Sequence, residues 1–184
     1  EAPKGYILLE EPKEITINKD HKKINETIEN EKEKIDIIGN KIWDGGPKDK
    51  PNIEIQLYRD DEVFGEKVLL ESGDTQYTWK GLDKTDDVGN EYKYTIDEVE
   101  TPEDYGKERV DDLTIKNIYN SPKTEITGRK IWNGGSEIKP EIEIQLYRNK
   151  EVFGEKIKLK NGELSYTWEN LDRNDHNGNE YKYT

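Results

Sequence analysis

Apolar and polar residues alternate one for one along several short stretches of this chain. Ile53-Glu54-Ile55-Gln56-Leu57-Tyr58 is the clearest, and Tyr92-Lys93-Tyr94-Thr95-Ile96 and Leu113-Thr114-Ile115-Lys116-Asn117-Ile118-Tyr119 share its period. Successive side chains of a strand point to opposite faces, so this period predicts β-strands with one buried face, and the β-branched and aromatic content agrees. Turn formers separate the stretches: Gly45-Gly46-Pro47, Asp60-Asp61-Glu62, Ser72-Gly73-Asp74 and Asp86-Asp87-Val88-Gly89-Asn90. No segment sustains a helical period.

The pattern occurs twice. Shifted by 89 residues, Lys41-Ile42-Trp43 falls on Lys130-Ile131-Trp132, the heptapeptide Ile53–Arg59 on Ile142–Arg148, and Glu62–Lys67 on Glu151–Lys156. Tyr77-Thr78-Trp79 likewise falls on Tyr166-Thr167-Trp168, and Asn90–Thr95 on Asn179–Thr184. A gapless offset of this kind marks tandem copies of one folding unit. The first copy continues through Ile96-Asp97-Glu98-Val99 to Asn117, whereas the second stops at Thr184. At the other end, Glu1-Ala2-Pro3-Lys4-Gly5-Tyr6 resembles Glu100-Thr101-Pro102-Glu103-Asp104-Tyr105, and Ile28-Glu29-Asn30 resembles Ile115-Lys116-Asn117. The expected organisation is therefore residues 1–34 as the C-terminal part of a preceding domain, 35–120 as a complete domain and 121–184 as the N-terminal part of a following one. The wider spacing from Tyr6 to Asn30 predicts a longer final hairpin in the first piece. Ser121-Pro122-Lys123-Thr124 reads as a short linker stiffened by proline. Short strands with turns about every 8–12 residues predict, in each domain, an antiparallel β-sandwich of immunoglobulin type.

Composition narrows the chemistry. Of 184 residues, 30% are hydrophobic and 39% charged, so the cores must be small; eleven Tyr and four Trp help to fill them. A net charge of −13 repels phosphate backbones and anionic headgroups, which argues against a nucleic-acid partner. Cysteine and methionine are both absent, removing disulfides, thiolate metal sites and thiol nucleophiles. No apolar run approaches the length of a membrane span, and the first residues do not resemble a signal peptide.

Lys41 before Ile42-Trp43-Asp44, the Tyr77-Thr78-Trp79 strand, Tyr94-Thr95-Ile96-Asp97-Glu98-Val99 and Ile115-Lys116-Asn117 together resemble the collagen-adhesin B-repeat, or Cna B-type, domain of Gram-positive adhesins and pilins. The resemblance covers nearly the whole chain and rests on the order and spacing of these motifs. It implies an intramolecular isopeptide bond in which Lys41 attacks the carboxamide of Asn117 with Glu98 assisting. Asn30 then matches the acceptor of the preceding domain and Lys130 the nucleophile of the following one, each without its partners in this sequence, so one cross-link is expected.

The chemistry explains why these residue types are needed. An ammonium is no nucleophile and an amide is a poor electrophile. Burial disfavours the charged forms of both lysine and glutamate, and a protonated carboxyl can polarise the acceptor carbonyl and shuttle protons as ammonia departs. The reaction occurs once per molecule, so the chain is not read as an enzyme.

Other readings compete at each position. Taken singly, Lys41, Glu98 and Asn117 are an ordinary surface lysine, acid and strand-end amide. Trp43, Trp79, Trp132 and Trp168 suit core or inter-domain packing better than a ligand platform, because they recur at equivalent strand positions. The acidic turns at 83–89 and 172–178 depart from the EF-hand pattern and read as solvated hairpin turns, with no metal. His21 and His176 sit among polar residues and read as surface histidines; no cofactor is expected. The resulting expectation is an extracellular, wall-anchored stalk repeat that contacts neighbouring repeats and reaches host matrix through other domains. The alternative is a domain that itself grips a host or matrix ligand.

Overall fold

The computed structural model describes residues 2–7 and 30–184. The longer hairpin expected between Tyr6 and Asn30, and His21 with it, lie outside the described residues. Among the described residues every regular element is a strand: β1 (Tyr6–Ile7), β2 (Glu31–Lys32), β3 (Lys34–Asp44), β4 (Ile53–Arg59), β5 (Glu62–Val63), β6 (Val68–Leu70), β7 (Gln76–Asp83), β8 (Tyr94–Glu98), β9 (Tyr105–Asp111), β10 (Thr114–Tyr119), β11 (Lys123–Arg129), β12 (Ile142–Arg148), β13 (Glu151–Leu159) and β14 (Ser165–Asp172). One sheet runs β7-β3-β10-β9, and another is centred on β4, which pairs with β5, β6 and β8. Internal packing divides the chain into two units, Glu1–Lys41 with Asn52–Glu100 and Arg109–Ile115, and Ile42–Pro51 with Thr101–Glu108 and Lys116–Thr184.

In the first unit the alternation read from the sequence becomes a core. Ile37 on β3 and Ile115 on β10 meet Leu57 on β4 and Tyr94 and Ile96 on β8, with Trp79 and Phe64 packed at the margin. Both sheets thus turn their apolar faces inward, which makes an immunoglobulin-like β-sandwich. Burying each such aliphatic side chain contributes about 1.5–3 kcal/mol. Gly39 lies on the inward face of β3, where an added Cβ would come within 2.8 Å of Trp79 Cζ3 and 3.1 Å of Ile96 Cδ1. Hydrogen in place of a side chain lets the indole lie flat over the core. The same unit contains the small β1–β2 pair, with Tyr6 opposite Lys32.

The second unit reproduces this register with the offset of 89. Ile37 pairs with Trp79 across β3 and β7, and Ile126 with Trp168 across β11 and β14; a bulge precedes each pair. Ile53 faces Leu70, and Ile142 faces Leu159. Asp60-Asp61 and Asn149-Lys150 take positive φ at both positions, as two-residue hairpin turns require. Glu62, grouped with the turn in the sequence reading, already belongs to β5. The linker is shorter than expected too: β11 begins at Lys123, leaving only residues 120–122 between β10 and β11.

Candidate functional site

Inward-facing positions extend past the apolar core at one end of three strands. On β3 the buried series runs Ile37, Gly39, Lys41; on β8 it runs Tyr94, Ile96, Glu98; on β10 Ile115 is followed by Asn117. Because the strand period is two, each polar residue continues the register that its apolar predecessor sets. The result is unusual burial: Lys41 is 3% exposed, Glu98 3% and Asn117 0%. Lysine and glutamate are almost never fully buried unless paired, since burying a charge is costly. The reading of these three as ordinary surface groups is therefore excluded.

Backbone contacts hold the strands that carry them. The Lys41 amide donates to the Thr75 carbonyl at 2.8 Å, and one residue earlier the Asn40 amide donates to Leu113 O at 2.8 Å. Glu98 stands opposite Ile55 on β4, and its amide is capped by Asp97 Oδ1 at 2.8 Å. Strands β3 and β10 are neighbours in their sheet.

The two outlying residues are placed differently. Asn30 is exposed. Lys130 is half-buried; its amide donates to Leu164 O at 2.7 Å, the counterpart of the Lys41–Thr75 bond, while Nζ donates to Ile131 O at 3.1 Å and lies 4.3 Å from the Trp132 ring centre.

One carboxylate in each acidic turn is spent inside the turn. Asp86 Oδ1 accepts from the amides of Val88 (2.9 Å) and Asn90 (2.8 Å), and Asp175 Oδ1 accepts from those of Asn177 and Asn179, both at 2.9 Å. Hydrogen bonds from Asn90 hold the Asp86 carboxyl below its usual range, and those from Asn179 do the same for Asp175. Trp43 stacks edge-on against Tyr105 at 5.0 Å, Trp79 against Tyr77 at 5.0 Å and Trp168 against Tyr166 at 5.1 Å, which makes these three packing groups. His176 is exposed, as expected of a surface histidine, with Nε2 3.2 Å from Asp44 Oδ1.

Gln56 is a buried polar residue that the sequence pattern did not single out. Gln56 occupies an outward phase of β4 yet is buried, and its Nε2 donates to the carbonyls of Leu57 (2.9 Å), Phe64 (3.2 Å) and Gly65 (3.3 Å). Gln145 repeats this clamp on Leu146, Phe153 and Gly154. The signal that would have found it is the identical glutamine 89 residues on.

The chain resembles known proteins over most of its length. The model for the Cna protein B-type domain matches residues 37–120 and 126–184. A collagen adhesin of Staphylococcus aureus is 31% identical across 91% of this chain, which spans 16% of that relative's length. The crystal structure of a single B repeat unit (B1) of the collagen-binding surface protein of S. aureus is similar at 27% identity, covering 83% of this chain and 84% of that one, with a TM-score of 0.42. A structure of two such units (B1B2) matches at 27% identity over 84% of this chain and 43% of that one, with a TM-score of 0.42.

Proposed function

Since this chain belongs to the Cna B-type domain family, we propose that it is a stalk segment of a wall-anchored Gram-positive surface protein, with its complete repeat locked by an amide bond between Lys41 and Asn117. The domain division that goes with this reading is 1–34, 35–120 and 121–184. Neighbouring repeats are its direct partners, and host matrix is engaged through other domains of the parent protein.

The burial of Lys41, Glu98 and Asn117, each one step beyond the apolar core on its strand, carries the proposal. Neutral amine and neutral carboxyl are the forms that burial favours and the reaction needs. Lys41 Nζ attacks the Asn117 side-chain carbonyl carbon and the C–N bond of the carboxamide breaks. Glu98 relays the amine proton to the departing nitrogen, which leaves as ammonia. Alignment by the folded strands can lower the barrier by roughly 7–11 kcal/mol. The turnover is single and self-directed, so no free substrate is processed.

A bond here also suits the mechanics. A domain of this size buries only about 60% of its unfolded surface, and with no cysteine an amide is the covalent staple left to it. It would bypass the 75 residues between Lys41 and Asn117 when the ends are pulled. Single-molecule stretching tests this. Lys41→Ala should release about 250 Å more extension than the parent on unfolding, at roughly 3.3 Å per residue. Equal extensions from the two proteins would remove the mechanical role.

A further inference from the structure

The inward series of β4 does not end on an apolar residue. It runs Ile53, Ile55, Leu57 and then Arg59, and the strands concerned lie within the first unit. Across the sheet Ile55 stands opposite Glu98, Leu57 opposite Ile96 and Arg59 opposite Tyr94, so Arg59 and Glu98 mark the two ends of one strand pair. The Arg59 guanidinium sits against two rings at once, its carbon 4.2 Å from the centre of Phe64 and 4.2 Å from that of Tyr92. Tyr94 packs edge-on against the same two rings at 6.1 Å and 6.3 Å. Two hydrogen bonds close this end: the Asp60 amide donates to Lys93 O at 2.8 Å, and the Lys93 amide donates to Asp60 Oδ1 at 2.8 Å.

The second unit repeats this arrangement residue for residue. The Arg148 guanidinium carbon lies 4.2 Å from the ring centres of both Phe153 and Tyr181, and Tyr183 stands opposite Arg148. The Asn149 amide donates to Lys182 O at 2.8 Å, and the Lys182 amide donates to Asn149 Oδ1 at 2.9 Å. The two-ring seat is therefore a property of the repeat and not of one copy.

Alternation alone does not fix how β8 lies on β4. A slip of one residue turns the apolar face of β8 to solvent, so burial excludes it. A slip of two residues keeps the apolar face inward, yet moves Glu98 along β4 by about 7 Å. Sliding one way would set Arg59 opposite Ile96, within the apolar core, where a charge is costly. Sliding the other way would carry Tyr92 past the guanidinium and give up its cation–π contact. We infer that Arg59, seated on Phe64 and Tyr92, is a positioning residue that keys the register of β8 on β4 and so places Glu98. The use of Glu98 in a cross-link rests on the reading above, whereas the register does not.

The test is made in the Lys41→Ala chain, which lacks the nucleophile and so reports register whether or not the parent cross-links. NMR contacts between α protons across the strands should place Ile55 against Glu98, with no second set. Adding Arg59→Leu keeps an apolar stem and removes the charge, and should bring in a second set, with Leu57 against Glu98, from about a tenth of the molecules or more. Arg59→Lys keeps the cation and should return the single set. A single native register in the Arg59→Leu protein, or the same second set in the Arg59→Lys protein, would overturn the key. The Arg59 side chain itself gives a reading that does not depend on either variant folding. Held against two ring faces, its δ protons should resonate well upfield of their random-coil position, and a random-coil position would equally overturn it. With Lys41 restored, Arg59→Leu should cross-link about tenfold more slowly than the parent. An unchanged rate would overturn the placement of Glu98, whereas a parent that never cross-links would count against the cross-link alone, because register is read without it.

Discussion

The hydroxyl of Tyr94 donates to the backbone carbonyl of Asp83 at 2.7 Å, tying the end of β7 to the start of β8 across the sandwich. Tyr183 does the same for Asp172 at 2.8 Å. Tyr94 is buried, and desolvation raises its pKa, which keeps the phenol a donor through the neutral range. Tyr94→Phe removes the donor and keeps the ring, so it should cost about 0.5–1.5 kcal/mol, with more if the carbonyl is left dry. Thermal melting should show a loss of roughly 4–8 °C per kcal/mol for a domain of this size. An unchanged midpoint would show that the bond contributes nothing net.

Gln56 should matter more than its place in a polar phase suggests. One amide group serves three carbonyls, and Gln56→Leu would leave those of Phe64 and Gly65 without it. The expected cost is about 1–3 kcal/mol, with faster hydrogen exchange confined to the segment around β5. Gln145→Leu should reproduce the effect in the second unit. Exchange that rises uniformly over the chain would contradict a local clamp.

Acid should loosen the repeat turns before it unfolds the sandwich. Asp86 and Asp175 are held below their usual pKa by hydrogen bonds from Asn90 and Asn179, and Asp83 is held low by Lys34. For a depressed carboxyl, the stabilisation is fully present above the unfolded value of about 3.9 and is lost as pH falls through the folded value. The window therefore lies below about pH 4. NMR titration should show the amides of Val88, Asn90, Asn177 and Asn179 moving together with their aspartate below that pH, and Asp175→Asn should abolish the response in its own turn only. Movement centred above pH 5 would contradict the assignment.

Much of this fold was legible because its period is two and its copies are in register. The alternation at Ile53–Tyr58, the doubled turn formers and the repeat offset gave strands, hairpins and a sandwich. Residues whose role depends on tertiary surroundings were harder to read. Gln56 looked solvent-facing because alternation reports phase and not what covers the outward face. Asp44 and His176 are 132 residues apart and carry no shared motif, so only the folded chain reveals their contact. Lys41, Glu98 and Asn117 were singled out through family resemblance; their burial was not deducible from composition, in which lysine and glutamate normally read as surface.

Glu98→Gln keeps the volume and removes the acid. If Glu98 relays the proton, this variant should fold without the bond, and its stability should fall on the order of 4 kcal/mol by analogy with a loop closed by a disulfide. The melting midpoint would then drop by roughly 15 °C or more. A variant that cross-links as fast as the parent would assign the relay elsewhere.

The cross-link is a covalent change, and the mass of the chain reports it. Intact-mass measurement of the purified chain should give a value about 17 Da below that of the linear sequence, the loss of one ammonia, and digestion should yield a single branched peptide joining Lys41 to Asn117. Lys41→Ala should restore the full mass. A parent chain at its full calculated mass, with Lys41 and Asn117 recovered in separate linear peptides, would contradict the account.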